Sequence, residues 1–201
     1  MLHAYENGEL ELRKRASQGL LLAGRFPYGK RAVLSDGGRN GGRPRKEVIA
    51  SRAFSYRVDK PDEDIHLLVG HSYDRPLASR GAGTLKLADS DEALSFEAVI
   101  SDDMQEVSYV QDVLASLRAG LTIGISPGFR LPPPRTVPNA EKVDEEDPSE
   151  GNALIRTIFA ALLYELSIVT RPAYDEAQVE ERNWNPAPFI PIKPHASLRW
   201  R

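Results

Sequence analysis

SDDMQEVSYVQDVLASLRAGLTIGISPGFR, residues 101–130, holds the one clear helix of the chain and the strand that leaves it. Met104, Val107, Val110, Val113, Leu114 and Leu117 recur at helical spacing and make a single apolar stripe, which predicts a helix over 102–119. Ser101 or Asp102 can cap its start, Arg118 suits its last turn, and Gly120 is a natural stop. LTIGIS then reads as a strand that delivers Ser126.

Gly124-Ile125-Ser126-Pro127-Gly128 also matches the G-x-S-x-G pattern of the α/β-hydrolase elbow. Three physical points exclude that fold. The elbow uses the backbone N–H of the residue after the serine, and Pro127 has none. The elbow opens a helix, which FRLPPPRTVP cannot continue. A histidine should follow the serine, yet only His195, near the C-terminus, does so. What remains is a serine between two glycines that let another chain approach closely. Taken alone it reads equally well as a serine in a tight turn.

Upstream, GLLLAGRFPYGKRAVL (19–34) predicts a strand pair, or one strand bent at Pro27-Tyr28-Gly29. A Gly-rich basic loop (35–46) and the shorter EVIASRAF follow. IHLLVGH is the next strand, its alternation putting Ile65, Leu67, Val69 and His71 on one face. Residues 84–87 and 94–99 alternate at period two and predict an antiparallel pair. Residues 132–151 hold five prolines and an acidic cluster, predicting a mobile surface loop. Residues 154–170 resume as a strand pair or one long bent strand. The first 18 residues and the Pro-rich stretch 181–201 are expected to lie outside the domain, which spans 19–180. Few helices and many short strands predict an α+β fold, mainly an antiparallel barrel or curled sheet with surrounding helices.

With 201 residues and 41% of them apolar, the chain can bury a core without a staple. It has no cysteine, which removes thiol chemistry, disulfides and thiolate metal sites. No metal or cofactor is expected. No apolar run reaches the roughly 18 residues that span a bilayer, so no membrane segment is expected. The opening MLHAYENGELELRKR does not read as a signal peptide. A net charge of −3 argues against general nucleic-acid binding. A protein partner or peptide substrate fits better.

Two further residues carry chemistry. His71 ends an apolar run before the polar SYDRPL, and imidazole is the side chain whose ordinary pKa suits a general base near neutrality. His66 has opposite parity in the same strand, while His3 and His195 lie near the termini. In isolation, such a histidine is more often a hydrogen-bonded structural residue. Glu165 interrupts the apolar IFAALLYELSIV, where a carboxylate is costly unless paired or at a wet edge. It could orient His71 or pair with an arginine such as Arg130 or Arg156, and local sequence does not choose. A base, a hydroxyl and a carboxylate are the parts of an activated serine nucleophile.

Together, LLVGHSYDRPL, GISPGF, ELSIVTRPAY and the upstream KEVIASRAF resemble the prohead (capsid maturation) proteases of tailed bacteriophages, the HK97-type family. The resemblance runs from about Gly24 to Tyr174. It implies a fold related to herpesvirus assemblins, a closed or nearly closed β-barrel with helices around it. It implies His71 as base, Ser126 as nucleophile and Glu165 as third member, where assemblins use a second histidine. Arg171, in Thr170-Arg171-Pro172-Ala173, and Gly128 are carried as oxyanion or substrate contacts. The implied function is a serine endopeptidase that trims the major capsid protein or its scaffolding segment inside the assembling prohead, in the host cytoplasm, and also cuts itself. A homodimer is implied by the assemblin relation. The competing reading is a catalytically inactive, capsid-associated scaffolding module. Two features depart from the family: proline at 127, and the length of the acidic segment 132–151.

Overall fold

The structure, a computed structural model, describes residues 10–14, 19–38, 42–121, 124–170 and 172. Its elements are β1 (Leu10–Lys14), β2 (Leu20–Pro27), β3 (Arg31–Ser35), β4 (Arg45–Ile49), α1 (Ser55–Val58), β5 (His66–Val69), β6 (Ser72–Ser79), β7 (Leu85–Asp89), β8 (Ala93–Ile100), α2 (Asp102–Gln105), α3 (Ser108–Arg118), β9 (Gly124–Arg130), β10 (Glu141–Glu145), β11 (Leu154–Ile158) and β12 (Leu162–Val169). The strands form three four-stranded sheets, ordered β1-β2-β8-β7, β10-β11-β4-β3 and β6-β5-β12-β9. The class is α+β, as composition and pattern predict. Most of the described pairings are antiparallel and no closed barrel forms among the described strands, so the expected barrel or curled sheet is met only in part.

Two of the three sheets are mixed because two of the described pairings, β4 with β11 and β5 with β12, are parallel. The two pairs are continuous. Strands β4 and β11 run side by side, then both chains cross to the next sheet and run side by side again as β5 and β12. Backbone bonds hold them together at the crossing, Ala50 N–H to Ile158 O at 2.8 Å and Ala161 N–H to Ala53 O at 2.7 Å. Next to the crossing lies Phe54, wholly buried, with Phe26, Tyr28 and Phe129 around it at centroid distances of 5.7–6.3 Å. Leu67, Leu163, Leu166 and Ile168 extend this core, each worth about 1.5–3 kcal/mol of transfer free energy.

Several local expectations change. The predicted helix over 102–119 is two helices. Its apolar residues 104, 107, 110 and 113 are spaced by three, a period that a tighter turn also satisfies. The chain takes that turn, with Glu106 N–H on Asp103 O and Val107 N–H on Met104 O, and Val107 becomes the extended cap of α3. The opening segment contains β1, paired with β2. Strands β2 and β3 enter different sheets. The expected loop 132–151 contains β10, because four of its prolines fall before residue 139 and leave 141–145 free to pair with β11. The Pro-rich stretch 181–201 lies outside the described residues.

Candidate active site

The third sheet collects the chemistry. Its strand β12 carries Glu165, its edge strand β9 carries Ser126, and the β5–β6 hairpin presents His71. Val69 pairs with Ser72, so Gly70 and His71 form a two-residue turn, both with φ of 61°. That is the signature of a type I′ hairpin. Sequence alternation had put His71 on a strand face, but the turn ends the alternation at Val69. A left-handed backbone costs a non-glycine residue about 1–2 kcal/mol, so it needs support from its surroundings. Support comes from β12: Gly70 N–H donates to Ile168 O at 3.0 Å, and His71 N–H donates to Ser167 Oγ at 2.9 Å.

The His71 ring is half-exposed, and its Nδ1 lies 2.6 Å from Glu165 Oε1. Glu165 is only 4% exposed. Its second oxygen, Oε2, accepts from Ser167 Oγ at 2.7 Å. Two donors account for the buried carboxylate. A carboxylate only accepts, so Nδ1 carries the hydrogen of this contact, and in the neutral imidazole that leaves the lone pair on Nε2. Of the partners the sequence left open for Glu165, the arginines are used elsewhere. Arg156 bonds Glu47 and Glu141, while Arg130 lies over the Tyr164 ring.

Ser126 pairs across β9 and β12 with Ser167, and Gly128 pairs with Glu165. Directly opposed residues share a face, their Cβ atoms about 4.5–5.5 Å apart. Ser126 is therefore two rungs along the ladder from Glu165, on the same face and half-buried. No hydrogen bond joins Ser126 to His71 among the described residues; such bonds are often long before substrate binds. The strand continues through Pro127 to Arg130, which rules out the helix that an elbow requires. Proline is tolerated there because β9 is an edge.

The flanking glycines each admit a neighbour. A methyl on Gly128 would lie 1.9 Å from Glu165 Oε1, and one on Gly124 would lie 2.4 Å from Pro172 Cγ. Gly128, carried from sequence as an oxyanion or substrate contact, provides the space in which the carboxylate sits. Arg171 and Ala173 lie outside the described residues, as do His3 and His195. His66 pairs with Asp64 at 3.6 Å. Sequence reasoning missed Ser167, although the alternation of Glu165 and Ser167 already put both on one face.

Beside His71 opens a cavity of about 590 Å³. The hairpin and Arg75 form one wall, α3 with Ser108, Tyr109 and Asp112 the other, and Ile168 to Thr170 complete it. Tyr109 ties α3 to β6 through its hydroxyl, which donates to Pro76 O at 2.7 Å. No group of metal-ligating side chains occurs among the described residues, and no described helix is long and apolar enough to cross a membrane.

A family model described as caudovirus prohead serine protease matches residues 38–187, three quarters of the chain, a span that includes His71, Ser126 and Glu165. No curated protein and no solved structure matches it.

Proposed function

The chain belongs to the caudovirus prohead serine protease family, and from that premise we propose that Ser126, His71 and Glu165 are the catalytic residues of an endopeptidase that trims the major capsid protein during head assembly. The substrate is the scaffolding segment at that protein's N-terminus, and the enzyme also cuts its own chain. The observation that carries this reading is the 2.6 Å contact between His71 Nδ1 and Glu165 Oε1, two rungs from Ser126 on the same face of the sheet.

In the first half-reaction, Ser126 Oγ attacks the scissile carbonyl carbon while His71 Nε2 takes the hydroxyl proton. The carbonyl oxygen becomes an oxyanion. His71 then returns the proton to the leaving amine as the C–N bond breaks, leaving an acyl-Ser126 ester. Water, activated by the same imidazole, hydrolyses the ester and restores the serine. Glu165 stabilises the imidazolium formed in each half. Pro127 has no N–H to give the oxyanion, so the donor lies elsewhere, and the backbone around 170–173 is the proposed source. The extended substrate occupies the cavity between the hairpin and α3.

Co-expression with the cognate capsid protein tests the reading. The wild-type chain yields a trimmed capsid protein and Ser126→Ala yields the full-length one, read by intact mass. Equal trimming by both chains refutes the assignment. A full-length capsid protein in both favours a scaffolding module without activity.

A further inference from the structure

Ser167 has no surface exposed, although it stands two residues from a buried carboxylate in an otherwise apolar part of β12. A hydroxyl buried without partners costs about 1–3 kcal/mol, so its presence calls for a structural account. Both of its hydrogen-bonding functions are used. Its proton goes to Glu165 Oε2 at 2.7 Å, and its oxygen accepts the backbone N–H of His71 at 2.9 Å.

These two bonds and the contact of His71 Nδ1 with Glu165 Oε1 close a ring: His71 backbone, Ser167 hydroxyl, Glu165 carboxylate, His71 imidazole. The ring clamps one residue at both ends. That matters because His71 sits at a hairpin tip, in a left-handed conformation, with its imidazole half in solvent. We infer that Ser167 is a positioning residue: its hydroxyl keeps the carboxylate aimed at Nδ1 while fixing the turn that carries the base. The inference rests on the reading of His71 as base and Glu165 as its orienter. Ser167 cannot replace Ser126 as nucleophile, because it is buried and its proton is committed to Glu165.

The test uses the purified full chain and two readouts. The first is the rate constant for phosphonylation of Ser126 by a fluorophosphonate, followed by mass spectrometry. The second is the downfield proton resonance of His71 Nδ1–H, assigned by its loss in Glu165→Gln. In Ser167→Ala the labelling rate falls on the order of 10-fold to 100-fold, as small misplacements of reacting groups do, and the resonance broadens or moves upfield. Ser167→Cys keeps the volume with a weaker donor, shifts both readouts in the same direction, and carries the test if the alanine variant does not fold. A wild-type labelling rate, or an unchanged resonance, in a folded variant overturns the inference. If the wild-type chain takes no label at Ser126, the proposed function fails, and the resonance alone decides what Ser167 holds.

Discussion

Gly128 shows how closely the proposed site is packed at the level of single residues. Any side chain there would overlap the carboxylate oxygen that meets His71. Gly128→Ala is expected to displace Glu165 and lower Ser126 labelling on the order of 100-fold, while far-ultraviolet circular dichroism stays that of the wild type. A fully active alanine variant would show that the carboxylate has another seat. Ser126, His71 and Glu165 were legible in the sequence because each is a chemically capable group at an apolar run. The contact between His71 and Glu165 was not, since 94 residues separate them. Gly128 and Ser167 were harder still: a small residue inside a strand looks the same whether it fills space or makes room.

At the scale of elements, β10 is held by one buried side chain beyond its end. Glu146 accepts from Lys46 Nζ at 2.7 and 3.0 Å, from Arg31 Nη1 at 3.0 Å and from Ala153 N–H at 3.2 Å. The Lys46 hydrogen bond, with the Ala153 amide and the Lys46 and Arg31 charges, holds its carboxyl below the ordinary range. A carboxyl with a lowered folded pKa lends stability above its unfolded value, and that stability fades as pH falls through the folded value. Glu146→Gln should therefore melt below wild type at pH 7, with the gap closing in acid. A gap that ignores pH would refute the ionic anchor. Elements were readable where one period dominated, as in β7 and β8. They were misread where spacing fitted two periods, as at Val107, or where prolines masked a short exposed strand, as in 141–145.

The whole molecule turns on Phe54, the aromatic hub at the crossing between two sheets. Phe54→Ala is expected to cost about 3–5 kcal/mol, measured by urea denaturation. A loss under about 1 kcal/mol would mean that the sheets hold without it. The α+β class was legible because alternating strands and one apolar stripe suffice to name it. The three sheets were not, because parallel partners such as Arg45 and Leu154 leave no mark on local periodicity. That doubled crossing also orders events during synthesis. The carboxylate strand is parallel to β5 yet emerges from the ribosome almost a hundred residues later, and closing so long a loop is slow. Until it docks, the hairpin that bears the imidazole lacks the bonds that pin it, so the His71–Glu165 pair assembles only after β12 has left the ribosome.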